Sequence, residues 1–388
     1  MRSYFKNILA GVIVLSFAAC KQTYDPYIET NNTKLLVVEG FINSGIGATV
    51  IHLSRSTDLN SPTLNDELNA QVRVEGENGS HFELLNNGSG EYSDPQLFLD
   101  NSVKYRLYIK TSDGKEYASD YSPVRYTPSI DSITWQRENG GLRLYVHAHD
   151  PQNATRYYQW KFEETWEFHA AYHTSLKYIR NSTTNAVTSL AFRMPDRSSD
   201  STLYKCWNSG NSSSIILGST EKLDSDVVYL PVQYIEPHSE KLSVLYSINL
   251  RQYALSHDNY LFLEKMKKNT EQLGTIFDPQ PSEISGNIHC LTDPSITVIG
   301  HVEITEEQVK RIFIYNSQVP DWGYDPGCSQ VILDNNLDSI DKYGRFLYPT
   351  MPESIDQFGG ILKFYATGDE DCMNCTFRGT NTRPVFWP

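Results

Sequence analysis

No stretch of this sequence is apolar for long enough to cross a bilayer, since a transmembrane helix needs roughly 20 consecutive apolar residues. An excess of basic residues is also missing. The 388 residues include 33 Lys and Arg against 47 Asp and Glu, a formal net charge of −14. This acidic balance argues against binding to nucleic acid and against electrostatic docking on anionic lipid.

Motifs that mark common catalytic sites are absent as well. The sequence contains no G-x-S-x-G elbow, no Walker loop and no dinucleotide-binding fingerprint. Carboxylates are plentiful, but their spacing does not select a pair that could act as the two acids of a glycosidase. We therefore expect a protein that is not an enzyme and that binds no cofactor.

The N-terminus has the pattern of a secretory signal. Arg2 and Lys6 form a short positive region, and residues 8–17 form an apolar run that is too short to span a membrane. The run ends in Phe17-Ala18-Ala19-Cys20, which matches the lipobox of bacterial lipoproteins except that Leu is usual in place of Phe17. We expect cleavage of residues 1–19 and lipidation of Cys20. The alternative is an ordinary signal peptide in which the cysteine is incidental.

A lipid on Cys20 would anchor the mature protein to a membrane, because each buried CH₂ adds about 0.8 kcal/mol of membrane affinity. Residues 20–33 form a polar tether. Lys21 directly follows the lipidated position, which favours export to the outer face of the outer membrane. The prediction is a lipid-anchored outer-membrane protein exposed at the cell surface.

Cysteine is scarce, and Cys20 is assigned to the lipid. An odd number remains in an oxidising compartment, which favours two disulfides and one buried or reactive thiol without defining the pairing. The candidates are Cys206, Cys290, Cys328, Cys372 and Cys375.

The spacing of Cys372 and Cys375 is that of a CxxC motif, which raises zinc and redox alternatives. A zinc knuckle needs a second pair at similar spacing, and a redox motif needs a helix that follows a strand. The sequence offers neither, so a structural disulfide role is predicted and no metal site is expected.

The N-terminal part of the mature chain, residues 34–127, is predicted to be a β-sandwich of immunoglobulin-like or transthyretin-like type. Turn signals such as Asn78-Gly79 and Asp113-Gly114 separate short segments with alternating apolar residues. Strands are predicted over residues 34–42, 49–56, 70–76, 81–85, 104–111 and 116–124.

Residues 128–388 are predicted to form a larger β-rich domain with one long helix near residues 256–273. Ser256 is a candidate N-cap for that helix, and Gly274 is a candidate for its C-terminal cap. A second short helix is predicted from Thr305, where Thr305-Glu306-Glu307-Gln308 has the form of a capping box. Residues 198–214 are predicted to be a loop.

Three clusters are candidate sites. His169 and His173 are four residues apart, but the zincin motif needs Glu at position 170, so packed or solvated histidines are favoured. The aromatic residues of segment 155–168 fall mostly on even positions, which favours core packing over an exposed sugar-stacking platform. The acidic residues 369–371 could bind Ca²⁺, but a solvated turn is favoured.

An ordered set of short motifs resembles the lipoprotein family named "domain of unknown function 4249", common in the Bacteroidota. The matching segments are residues 35–42, 105–109, 113–119, 274–281, 285–288, 298–302 and 372–387. The resemblance implies a partner, because genes of this family often lie beside one for a TonB-dependent transporter. It implies no catalytic residues.

Together these observations predict a non-catalytic accessory or binding subunit of a TonB-dependent nutrient transporter. Two alternatives stay open: a surface hydrolase acting on glycan or peptide, and an adhesin or structural protein of the envelope.

Overall fold

The structure is a computed structural model that describes residues 34–57, 65–271 and 286–388. The predicted signal peptide (residues 1–19), the lipidation site Cys20 and the tether (residues 20–33) lie outside the described residues. The same holds for residues 272–273 of the predicted helix and for its candidate cap Gly274.

The described residues contain 25 strands and two α-helices. The first strands are β1 (Leu36–Asn43), β2 (Thr49–Arg55), β3 (Asn65–Asp66), β4 (Gln71–Gly76), β5 (His81–Gly88), β6 (Glu91–Asp94), β7 (Lys104–Lys110), β8 (Glu116–Ser119) and β9 (Ser122–Pro123). The middle elements are β10 (Ile130–Glu138), β11 (Gly141–His149), β12 (Tyr157–His169), β13 (Leu176–Arg180), β14 (Val187–Phe192), β15 (Lys205–Asn211), β16 (Ile216–Ser219), β17 (Val227–Ile235), β18 (Leu245–Ala254) and α1 (His257–Glu271). The last are β19 (Ile288–Cys290), β20 (Val298–Ile299), β21 (Ile304–Thr305), β22 (Gln308–Tyr315), β23 (Gln330–Asp334), α2 (Leu337–Tyr343), β24 (Tyr348–Ile355) and β25 (Ile361–Thr367).

The prediction of a mainly β protein is confirmed. Strand β7 illustrates why these segments form strands: Tyr105, Leu107 and Ile109 alternate with polar residues and are buried. The immunoglobulin-like or transthyretin-like assignment stays a prediction.

The N-terminal sheet is built from strands that lie far apart in the chain. Its order is β19-β8-β7-β4-β5-β6-β2-β1-β20, and β21 pairs in parallel with the end of β1. The predicted N-terminal domain ends at residue 127, but this sheet also includes β19, β20 and β21, which come from residues 288–305. These strands complete the core of the sheet with Ile288, Cys290, Val298 and Ile304.

The middle of the chain forms two sheets that share one core. The three-stranded sheet β10-β11-β17 and the five-stranded sheet, in which β12 and β18 are central, both bury apolar residues in it. The expected packing of the aromatic strand is confirmed for Tyr158, Trp160, Phe162 and Phe168 of β12, which are buried, while Trp166 is partly buried against the same core.

The C-terminal part packs a smaller sheet, β23-β25-β24, against the hairpin β13-β14 and helix α2. The chain then returns to the middle sheets. The indole nitrogen of Trp387 donates a buried hydrogen bond of 3.0 Å to Glu167 on β12.

Two predicted elements were wrong. Part of the predicted loop 198–214 is strand β15, because Cys206 and its neighbours pair with β12 over seven residues. The predicted helix at Thr305 does not form. Thr305 ends β21, and its hydroxyl donates a hydrogen bond of 3.0 Å to the carbonyl of Ala254, so sheet pairing outweighs the local capping signal.

Within the described residues, neither helix is long and apolar enough to cross a membrane.

Candidate ligand-binding cleft

A cleft of about 410 Å³ lies where the N-terminal sheet meets the middle sheets, and we call it the central cleft. Its walls come from β1, β12, β18, α1, residues 212–215 and residues 299–303. The volume is within the range of roughly 300–1,000 Å³ that is usual for pockets that bind small molecules.

Helix α1 forms one wall and is held at its N-terminus by a buried carboxylate. As predicted, Ser256 caps the helix, since its hydroxyl accepts a hydrogen bond of 3.1 Å from the amide of Asn259. Glu303, only 3% exposed, accepts hydrogen bonds from the Ser256 amide and the Asn259 side chain, each of 3.0 Å. Arg125 donates to the same carboxylate at 2.6 Å. Glu303 therefore positions the helix, and its oxygens already have partners.

The opposite end of α1 holds the loop at residues 212–215. Lys267 donates a hydrogen bond of 2.7 Å to the carbonyl of Ile215, and the amide of Ile215 donates one of 2.7 Å to Glu271. Two polar contacts thus fix this lining loop of the cleft to the helix.

The wall formed by β1 and β20 depends on a close backbone approach. Gly300 directly follows β20 and has a φ of +147°. A Cβ atom at this position would collide with the carbonyl oxygen of Val38 on β1. Glycine is therefore required for the two strands to lie this close.

Lys161, in the middle of β12, brings a charged group to the central cleft. Among the described residues it makes no hydrogen bond or ion pair, although Glu39 and Glu307 lie near enough to attract it. Its side chain is open to the cleft. The protein that surrounds the amine disfavours the charged form and lowers the pKa of Lys161.

The charge of Glu307 is held by other residues. Arg251 donates to it at 3.0 Å, and the hydroxyl of Tyr253 donates at 2.6 Å. Burial, followed by the charge of Glu307, raises the pKa of Tyr253. Tyr253 also contacts Phe41 of β1, with ring centroids 4.3 Å apart. These contacts give the cleft an aromatic wall next to a fixed ionic cluster.

His301 contributes a second unpaired polar group. Its Nδ1 atom is buried without a hydrogen-bond partner among the described residues, and its ring lies 5.7 Å from that of Phe262 on α1. Burial lowers the pKa of His301 and so favours the neutral form of the ring. The imidazole and the Lys161 ammonium both line the central cleft, so a polar ligand there can meet either group.

The five disulfide candidates, all of them among the described residues, do not line this cleft. Cys206 is bonded to Cys375 and Cys328 to Cys372, while Cys290 is a buried free thiol. The expectation of two disulfides is confirmed. The two cysteines of the CxxC motif join different partners, so each fixes the C-terminal tail to a separate segment.

The histidine and acidic clusters are placed elsewhere. His169 and His173 both pack on the ring of Tyr204, with centroid distances of 4.6 Å and 3.6 Å. Asp369 and Asp371 lie close to the sulfur of Cys372. That sulfur is in a disulfide, so it is not available as a thiolate ligand.

Sequence reasoning did not single out Lys161 or His301. A signal for Lys161 was present, because it is a lone cation between Trp160 and Phe162 in a strand whose even positions are core. The odd positions of this strand point away from that core, so a cation there can face solvent or a cavity. His301 had no comparable local signal, since only the fold brings it to α1.

The chain belongs to a known sequence family. Residues 21–311, well over half of the chain, match the family described as "Domain of unknown function (DUF4249)". The resemblance inferred from the ordered motifs is therefore confirmed. A comparison with curated proteins finds no match.

Solved structures overlap with parts of the chain at low identity. A candidate carbohydrate-binding protein from Bacteroides uniformis is 10% identical, covering 58% of this chain and 91% of its own, with a TM-score of 0.15. Chitinase ChiA74 from Bacillus thuringiensis is 11% identical, covering 52% of this chain and 30% of its own, with a TM-score of 0.15. The B domain of a biofilm associated protein is 8% identical, and the match covers 74% of this chain and 87% of that domain, with a TM-score of 0.16. TM-scores this low do not establish a shared fold.

Proposed function

We propose that this protein is a non-catalytic binding lipoprotein, anchored by lipid on Cys20 at the outer face of the outer membrane. It serves as an accessory subunit of a TonB-dependent nutrient transporter, and the central cleft holds a small ligand on its way to that partner. Three observations support this role: the lipobox, the family membership and the cleft.

The observation that carries the binding role is the unpaired Lys161 amine in a cleft with largely apolar walls. The Lys161 amine is solvent-exposed on the cleft side and makes no ion pair among the described residues, so its ammonium group can take a counter-ion from a ligand. A small organic anion supplies that counter-ion, and its apolar part can pack on Phe41, Phe262 and Met266. The ligand class is therefore a small organic acid with an apolar body.

The arrangement of carboxylates supports binding rather than hydrolysis. A glycosidase uses one protonated carboxylic acid and one free carboxylate across the scissile bond. In the central cleft Glu303 is occupied by Arg125, Ser256 and Asn259. Its geometry suits a structural role, and Glu39 remains as an exposed carboxylate at the rim.

The binding role can be tested on protein extracted gently from its own membrane. Native mass spectrometry should find a small organic acid bound in a ratio of one to one. The variant Lys161→Gln should lose most of this species, because it removes the positive charge while it keeps a polar side chain of similar length.

The matched control is Lys110→Gln, since Lys110 lies on the surface in an ion pair with Glu116. Its bound species should be unchanged. If the Lys161→Gln variant keeps the same ligand, or if none is found on the native protein, the binding role of the cleft is wrong.

A further inference from the structure

A second cavity, remote in sequence from the central cleft, is lined by four cations. It has a volume of about 670 Å³ and lies between the hairpin β13-β14 and the start of β24. We call it the basic pocket. Its cations are Lys177, Arg180, Arg193 and Arg345, and its lining contains one carboxylate, that of Glu370.

The two central arginines are held by backbone carbonyls. Arg180 donates hydrogen bonds to the carbonyls of Asn185 at 3.2 Å and Gly344 at 3.1 Å. Arg193 donates from Nε to the carbonyl of Leu176 at 2.8 Å. A guanidinium has five N–H donors, so each arginine keeps donors for a ligand while its position is fixed.

None of the four cations forms an ion pair with a carboxylate in the part of the chain that the structure describes. Arginines elsewhere do so, for example Arg55 with Glu67 and Arg251 with Glu307. In a chain with a net charge of −14, acidic partners are abundant, so this cluster is not explained by a shortage of them. Burial lowers the pKa of Arg193 and outweighs the attraction of Asp200 and Glu370.

The remaining lining suits a hydroxylated ligand. Thr184 and Asn185 supply a hydroxyl and an amide, and Tyr178 and Tyr348 supply partly exposed rings. Aromatic rings combine an apolar face with polar edges, a surface on which a sugar ring can pack. An aliphatic acid would leave most of these hydrogen-bonding groups unused.

We propose that the basic pocket binds an acidic saccharide whose carboxylates meet the four cations. The site is independent of the central cleft and of its ligand. Carboxylates bind guanidinium groups through paired charge-assisted hydrogen bonds, while the sugar hydroxyls meet the amide and hydroxyl groups.

Isothermal titration calorimetry at constant ionic strength tests this proposal with three probes. Trigalacturonate carries both carboxylates and sugar rings, cellotriose carries sugar rings alone, and citrate carries carboxylates alone. Trigalacturonate should bind at least about tenfold more tightly than citrate, because only it uses both sets of groups. Cellotriose should show no measurable binding.

Two variants locate the site. Arg193→Met should weaken trigalacturonate binding by about tenfold or more, as expected for loss of a hydrogen-bonded charge. Arg345→Met is the second variant, since Arg345 is exposed and makes no hydrogen bond or ion pair with another described residue. The control Lys222→Met removes an exposed cation outside the pocket and should leave binding unchanged.

The outcomes are distinct. Equal binding of citrate and trigalacturonate would overturn the saccharide assignment, and no binding of either would overturn the site. Unchanged affinity in folded Arg345→Met and Arg193→Met variants would place any binding elsewhere. None of these results bears on the ligand found with Lys161, so the two proposals fail separately.

Discussion

Lys161 is a residue whose chemical reactivity follows from its surroundings. Its pKa is lowered by burial, whereas the hydrogen bond to Glu116 raises the pKa of Lys110. A lower pKa leaves more neutral amine at a given pH, and only the neutral amine attacks an acylating reagent. We predict that trace acetic anhydride at about pH 8 modifies Lys161 several times faster than Lys110.

Competitive labelling followed by mass spectrometry of peptides measures both rates in one sample. Lys110 is the internal control because it is also solvent-accessible. If Lys161 is acetylated no faster than Lys110, the surroundings of the Lys161 amine do not lower its pKa.

Glu167 is a buried carboxylate that makes stability depend on pH. Burial alone would raise its pKa, but hydrogen bonds from His169, Lys205 and Trp387 outweigh burial and lower the pKa to about 2. The stabilisation is therefore fully present above the unfolded-state pKa of 4.5 and is lost as the pH falls towards 2. We predict that Glu167→Gln lowers the free energy of unfolding by about 3 kcal/mol at pH 7.

Urea denaturation of wild type and variant should show this difference shrinking between about pH 5 and about pH 3. The exposed Glu77 offers a control, since Glu77→Gln should change stability little at any pH. A Glu167→Gln effect that stays constant with pH would contradict the role assigned to the carboxylate.

At the scale of elements, the disulfide between Cys206 and Cys375 joins β15 to the C-terminal tail. The two cysteines are separated by 169 residues and lie in a small core with Phe168. Closing so long a loop restricts the unfolded chain strongly. We predict that the double variant Cys206→Ala/Cys375→Ala loses about 3–5 kcal/mol of stability.

Equilibrium denaturation without reductant provides the measurement. Cys290→Ala is the matched control, because it also removes a buried sulfur but breaks no disulfide. If both variants lose the same free energy, the disulfide contributes nothing beyond packing.

Elements with strong local patterns could be predicted from sequence, and those that depend on distant partners could not. The alternation in β7 and the capping residue Ser256 are local signals, and both are present in the structure. Strands β19 to β21 are two or three residues long and exist because β8 and β1 offer them edges. Thr305 had a local helix signal, but its tertiary contacts favour the strand.

For the candidate site, the sequence pointed to clusters of cysteines, histidines and acidic residues, and not to the residues that line the cleft. Its cysteines and histidines were visible because their types and spacings are distinctive. Lys161 and His301 lie in different segments, and only the meeting of β12 with the segment that follows β20 brings them to one cavity. Such convergence depends on topology, which one sequence does not display.

At the scale of the whole molecule, the N-terminal sheet depends on a distant part of the chain. Ile288, Val298 and Ile304 complete its core, and β19 and β20 extend its two edges. We predict that a fragment of residues 34–127 does not fold cooperatively, because it lacks these residues and exposes the edges of β8 and β1. Circular dichroism during thermal unfolding, compared with residues 34–388, tests this. A cooperative transition of the fragment at the same temperature would show that the N-terminal sheet is self-sufficient.

The central claim is that the protein is an accessory subunit of a transporter. An affinity pull-down of the C-terminally tagged protein from gently solubilised outer membranes, followed by mass spectrometry, tests it most directly. The account predicts that a TonB-dependent transporter co-purifies in stoichiometric amount. The control is the variant Cys20→Ser, which should not be lipidated and should leave the membrane fraction. Recovery of a lipidated protein without such a partner would contradict the account and favour an adhesin or a surface hydrolase.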